Sequence, residues 1–104
     1  VTWLAASRLD LACAAAYYGR QIVEFPDDHP RCPTIAHFGA DDALIPQETV
    51  ESVRARNPEV PIHVYAGAGH GFNCDARADF RADAAALALE RTLALFAAAL
   101  DARD

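Results

Sequence analysis

The chain has 104 residues, of which 53% are hydrophobic, and it carries a formal net charge of −6. This length allows one small domain, and the hydrophobic content excludes a disordered chain. The acidic balance and the absence of a Lys/Arg cluster argue against nucleic acid as a partner, and charged residues interrupt every apolar stretch well short of a membrane span.

The first half of the chain predicts a helix, a strand and a loop. Thr2–Arg8 is predicted to be the end of a helix. The alanine-rich run Leu11–Tyr18, closed by Gly19, is typical of a strand covered by helices on both faces, although its composition also allows a helix. Residues 25–33 contain three prolines and are predicted to form a loop without a helix.

The second half predicts two more strands, each followed by a helix. Thr34–Phe38 and Ile62–Tyr65 are short and apolar, as buried parallel strands are. A helix is expected to begin at Pro46 and to end at Asn57-Pro58. This alternation predicts an α/β fold with a parallel three-stranded sheet flanked by helices, within a single domain over residues 1–104.

A last helix is predicted over roughly residues 79–100. Its large apolar residues recur at helical spacing, so we expect them to form the stripe that faces the sheet. These residues are Leu89, Leu93, Phe96 and Leu100.

Two loops that follow strands carry the residues with chemical potential. Asp42 comes shortly after the second predicted strand and His70 shortly after the third. Functional groups gather at the carboxyl ends of parallel strands, and α/β hydrolases place an acid and then a histidine in this chain order. The spacing predicts that Asp42 orients His70, and that His70 acts as the base for a nucleophile.

Four motifs together resemble the dienelactone hydrolase family of α/β-hydrolases, and the resemblance covers nearly the whole chain. They are Gly-x-x-Asp-x-x-Ile-Pro at residues 39–46, Tyr-x-Gly-Ala-Gly-His-Gly-Phe at 65–72, Tyr-Tyr-Gly at 17–19 and Glu-Arg-Thr-Leu at 90–93. The resemblance implies hydrolysis of a small ester or lactone, with Asp42 as triad acid and His70 as triad base. It also implies that the nucleophile lies just before Val1, so the chain is expected to be a C-terminal portion that is inactive alone.

The resemblance also bears on the substrate. Members of the family that act on dienelactone carry an arginine four residues after the histidine, where this chain has Cys74, and Arg77 is the nearest arginine. Phe72, Tyr18 and Cys74 are expected to contact substrate, with core packing left open as the alternative for Phe72 and Tyr18. Trp3 is expected to lie in the core.

The other histidines and cysteines predict no second site. His29, Cys32 and His37 fit no zinc spacing, so we expect neither a metal nor a cofactor. His37 and His63 lie within strands and are expected to be structural. Three cysteines without a secretory signal favour reduced thiols in a cytoplasmic setting.

The strand at Leu11–Tyr18 is expected to leave one sheet edge open. The partner at this edge would be the missing N-terminal half or a second copy of the chain. The alternative to a hydrolase fragment is therefore a non-catalytic binding or assembly module that docks a partner chain through this edge.

Overall fold

A computed structural model describes residues 2–19, 21–25, 27–74, 76, 78 and 80–101. Three strands form a parallel sheet in the order β1-β2-β3, with β2 in the centre, so the predicted fold class is confirmed. In chain order the elements are α1 (Thr2–Arg8), β1 (Ala14–Tyr17), α2 (Gln21–Glu24), β2 (Thr34–Gly39), α3 (Gln47–Arg56), β3 (Ile62–Tyr65) and α4 (Ala82–Asp101).

The strands match the predicted apolar runs with one shortening. Every residue of β2 is buried, because strands flank it on both sides and helices cover the sheet. β1 is shorter than the run Leu11–Tyr18, since its ladder starts where the Ala14 amide donates to the Pro33 carbonyl at 3.0 Å. Residues 11–13 lie outside the strand and are only half-buried.

The helices α1 and α3 agree with the sequence, whereas α2 was not predicted. α3 begins after Pro46, buries Val50 and Val53, and ends before Asn57. The short helix α2 lies just before the proline-containing loop and buries Ile22. The buried side chains of these elements form a hydrophobic core, and Trp3 lies in it as expected. Its members are Trp3, Ala16, Ile22, Ala36, Phe38, Ile45, Val50, Val53, Val60 and Ile62.

The predicted sheet-facing stripe of α4 is wrong. Leu89, Leu93 and Leu100 are each more than half exposed, and Phe96 is only half-buried. The buried residues are small: Ala84, Ala88, Thr92 and Ala99. Small side chains let the helix backbone approach the bulky aromatic rings that rise from the sheet below it, and Ala84 and Ala88 share a core cluster with Tyr65 and Phe72.

The contacts of α4 show which way its leucines point. The Arg91 guanidinium lies 5.5 Å from the Tyr65 ring on β3, whereas the Thr92 hydroxyl lies 3.3 Å from the Tyr17 hydroxyl on β1. Successive helical residues are about 100° apart, so Leu93 lies on the opposite side of α4 from Arg91. We call Leu89, Leu93, Phe96 and Leu100 the leucine flank.

Within the described residues β1 pairs only with β2, so its other edge is open, as the sequence predicts. The leucines of the leucine flank are exposed as well, so the described residues leave both a strand edge and an apolar helix surface uncovered. Among the residues described, no helix combines the length and apolarity that crossing a membrane requires.

Candidate active site

The ends of β2 and β3 hold the two candidate loops against each other. The Ala40 amide donates to the Tyr65 carbonyl and the Asp41 amide to the Ala68 carbonyl, each at 2.9 Å. A Cβ atom on Gly39 would lie 2.3 Å from the Ala68 carbonyl oxygen. Glycine is therefore required at position 39, because any side chain there would separate the loops.

Asp42 is held in place by its own loop. Its side chain is fully buried, and Oδ1 accepts hydrogen bonds from the amides of Leu44 at 2.8 Å and Ile45 at 3.1 Å. These two bonds fix the carboxylate and turn Oδ2 towards the neighbouring loop. There Oδ2 lies 2.6 Å from Nδ1 of His70. The structure thus brings together the two residues that the sequence predicts as acid and base.

His70 is oriented so that one ring nitrogen stays available. A carboxylate only accepts hydrogen bonds, so Nδ1–H of His70 donates to Asp42, and Nε2 carries the lone pair whenever the ring is neutral. The side chain is 25% exposed. Within the described part of the chain Nε2 makes no hydrogen bond. A histidine held in this tautomer can accept a proton at Nε2, while the carboxylate stabilises the imidazolium that forms.

Arg81 ties down the loop that carries His70. Its Nη1 donates to the Gly67 carbonyl at 2.8 Å, and its own amide donates to the Phe72 carbonyl at 2.9 Å. Gly67 has φ = +73°, a backbone conformation that glycine adopts without strain. Arg81 was not predicted as part of the site. A lone arginine before a helix carries no sequence signal for this contact.

The residues expected to contact substrate lie at different depths. The Tyr18 ring centroid lies 5.0 Å from that of His70, so Tyr18 reaches the site directly. Phe72 is fully buried in the core cluster beneath α4, which agrees with the alternative that it packs in the core. Its contact with substrate stays a prediction. Cys74 is a half-buried free thiol whose substrate contact is likewise untested. Arg77 lies outside the described residues.

His37 belongs to a separate polar network beneath α4. It is fully buried, with Nδ1 2.8 Å from the Tyr65 hydroxyl and Nε2 2.8 Å from the Thr92 hydroxyl. Burial, followed by the nearby charges of His63 and Arg91, lowers the pKa of His37 from 6.5 to about 4. A neutral histidine with both nitrogens satisfied is structural, as the sequence predicts.

The remaining ionisable groups and clefts leave Asp42 and His70 as the candidate centre. Burial, with the charges of Arg91 and Arg54, lowers the pKa of His63. Within the described ranges, no group of three or more His, Cys, Asp and Glu side chains is arranged to hold a metal ion. A cleft of about 460 Å³ between α1, α2 and α3 has neither Asp42 nor His70 in its lining.

The fold and the acid–histidine pair together define an α/β-hydrolase type of structure. The family model described as "Dienelactone hydrolase family" matches residues 1–100. The chain belongs to the dienelactone hydrolase family.

Curated relatives agree with this assignment. A protein of Salmonella typhimurium named "Putative carboxymethylenebutenolidase" is 34% identical over 112 residues, covering 93% of this chain and 42% of that protein. A protein of Escherichia coli with the same name is 34% identical, covering 92% and 41%. "Carboxymethylenebutenolidase" of Pseudomonas putida is 32% identical, covering 77% and 36%. The chain therefore spans less than half the length of these relatives.

Solved structures support the same fold. A crystal structure of a "Putative Dienelactone Hydrolase" from Klebsiella pneumoniae superposes with a TM-score of 0.77 at 32% identity, covering 92% of this chain and 46% of that one. A puromycin hydrolase superposes with a TM-score of 0.68 at 22% identity, covering 96% and 21%. The second similarity shows the fold alone.

Proposed function

We propose that this chain, as one partial domain over residues 1–104, is the C-terminal part of a hydrolase for small esters or lactones. In this proposal Asp42 is the triad acid and His70 the triad base. The observation that supports it most directly is the 2.6 Å contact between Asp42 Oδ2 and His70 Nδ1. Burial of the carboxylate and its two amide donors keep that contact in one orientation.

The proposed reaction needs a nucleophile and oxyanion donors from a segment that precedes Val1 in sequence or joins as a partner. His70 Nε2 removes the proton of this nucleophile as the nucleophile attacks the substrate carbonyl. Asp42 stabilises the imidazolium, which then protonates the leaving oxygen. Water, activated by the same nitrogen, hydrolyses the acyl-enzyme. In a lactone the leaving oxygen stays joined to the acyl group through the carbon chain in both steps, so the product is a single hydroxy acid.

The substrate class is proposed only as a small ester or lactone. The arginine that binds the substrate carboxylate in family members acting on dienelactone is replaced here by Cys74. A specific lactone is therefore not assigned. The three cysteines are free thiols, which fits the proposed cytoplasmic location.

The proposal is tested with the longest reading frame that contains this chain. The purified product should hydrolyse p-nitrophenyl acetate, and the sequence before Val1 should contain a Gly-x-Cys-x-Gly-Gly or Gly-x-Ser-x-Gly turn. His70→Ala and Asp42→Asn should each lower kcat by roughly 10³–10⁴-fold. Asp41→Asn is the matched control, because Asp41 is the exposed neighbour of Asp42 and should leave kcat within about twofold.

Two results would contradict the proposal. One is equal loss of activity in Asp41→Asn and Asp42→Asn. The other is turnover by the 104 residues alone that His70→Ala abolishes, because the chain as printed is expected to lack the nucleophile.

A second candidate function is a non-catalytic assembly module. Among the described residues, the outer edge of β1 pairs with no strand and the leucines of the leucine flank are exposed, and each feature suits a partner chain. Stable association with the upstream segment without any hydrolysis would favour this candidate. Restored hydrolysis would favour the enzyme.

A further inference from the structure

Tyr18 occupies an unusual backbone conformation immediately after β1. Its φ is +41°, and within the described residues it is the one non-glycine residue with positive φ. This left-handed region is costly for a residue with a Cβ, and such residues cluster at functional sites. The Tyr18 amide donates to the His37 carbonyl at 2.7 Å, so the ladder between β1 and β2 fixes the turn.

This conformation places the Tyr18 ring against His70. The ring centroids are 5.0 Å apart with 48° between the planes. On its other sides Tyr18 meets Phe72 edge-on at 5.6 Å and Tyr17 edge-on at 6.2 Å. Phe72 is fully buried, so the Tyr18 ring is supported from the core and cannot swing inward away from the imidazole.

The bond to Asp42 alone does not determine where Nε2 points. The imidazole is held by the backbone at Cβ and by one hydrogen bond at Nδ1, and its plane can still tilt about the line that joins these two atoms. A second contact against the ring removes this freedom. Offset and edge-on aromatic contacts at 4.5–7 Å are favourable enough to select one orientation.

We propose that Tyr18 is a positioning residue for His70, whose ring fixes the plane of the imidazole and thereby the direction of Nε2. This inference rests on the proposed function of His70 as a base, and it differs from the substrate contact predicted for Tyr18 from the sequence. The aromatic face does the positioning, so phenylalanine should serve as well as tyrosine.

Three variants separate the ring from the backbone strain. Tyr18→Phe keeps both. Tyr18→Ala removes the ring and keeps the strain. Tyr18→Gly removes both, since glycine adopts positive φ freely. The unfolding midpoint should therefore be higher for Tyr18→Gly than for Tyr18→Ala. In contrast, any property of His70 that depends on the Tyr18 ring should change equally in these two variants.

The first readout is NMR of ¹⁵N-histidine-labelled protein, which does not depend on activity. Wild type and Tyr18→Phe should show one His70 tautomer with a slowly exchanging Nδ1–H. In Tyr18→Ala and Tyr18→Gly, exchange of this proton with water should be about three- to tenfold faster. A wild-type exchange rate in Tyr18→Gly would overturn the inference, and so would loss of the signal in Tyr18→Phe.

The second readout is kinetic and uses the longer protein described under the proposed function. Removing the ring should lower kcat about three- to tenfold with KM within twofold, because orientation of the base acts on the chemical step. A rise in KM at constant kcat would show that Tyr18 binds substrate instead. If Asp42→Asn leaves the His70 NMR signals unchanged, the proposed function fails; if only the Tyr18 variants leave them unchanged, this inference alone fails.

Discussion

The backbones of Gly39 and Ala68 are in direct contact, and this contact joins the end of β2 to the loop after β3. A Cβ at position 39 would lie 2.3 Å from the Ala68 carbonyl oxygen and 2.5 Å from that of Gly69. The Asp41 amide bonds to the same Ala68 carbonyl. The distance between the acid and the histidine is therefore set by backbone packing next to the sheet.

Gly39→Ala should destabilise the chain and separate the pair. The new methyl group meets backbone atoms that cannot rotate away, so we expect a loss of about 2–3 kcal/mol in the free energy of unfolding, measured by urea denaturation. Gly19→Ala is the control. Its Cβ would meet the flexible end of Ile22 at 2.7 Å and should cost less than about 1 kcal/mol. Equal losses in the two variants would contradict this explanation.

Thr92→Val should disrupt the network beneath α4. The substitution keeps the shape of the side chain but leaves Nε2 of the buried His37 without its partner at 2.8 Å. An unsatisfied buried polar group costs about 1–3 kcal/mol of stability. Thr49→Val on α3 is the control, since Thr49 is half-buried and its hydroxyl has no hydrogen bond among the described residues. A Thr92→Val protein as stable as Thr49→Val would contradict the prediction.

The stability of the chain should fall as the pH is lowered from about 6.5 to 4. Burial depresses the pKa of His37 from 6.5 to about 4, so in this window the unfolded state binds a proton that the folded state does not. The stability from this group is therefore fully present above pH 6.5 and is lost by about pH 4, on the order of 3 kcal/mol in total. His37→Gln should flatten this part of the profile in urea titrations at several pH values; an unchanged slope would show that other groups cause it.

The open edge of β1 and the leucine flank should make the 104-residue chain self-associate. An unpaired strand edge and a row of exposed apolar side chains each favour association with another chain. Sedimentation velocity at increasing concentration should show a dimer, and Leu93→Glu should restore the monomer. Leu44→Glu is the matched control, because Leu44 and Leu93 are both 55% exposed and only Leu93 lies on the flank. A wild-type chain that stays monomeric at high concentration would contradict this prediction.

The strands and the acid–histidine pair were predictable because local residue patterns determine them. Short apolar runs ended by glycine mark β2 and β3, and Asp42 and His70 follow these strands at a spacing that brings them to one edge. The sheet-facing stripe of α4 was not predictable from hydrophobicity. The most apolar residues of the helix point away from the sheet, and alanines face it because aromatic rings from the strands already fill that space.

The contact between Tyr18 and His70 could not be predicted from the sequence either. Tyr18 was expected at the end of a strand, but no sequence signal indicates its positive φ. Arg81 is a similar case, since its bond to Gly67 depends on how the loop returns to α4.

The backbone contact at Gly39 has a consequence for which parts of the chain can vary. Backbone packing and the Arg81 contacts hold Asp42 against His70, so residues between Phe72 and Arg81 can be replaced without moving the pair. The geometry of the pair and the sequence of this connecting segment can therefore change independently of each other.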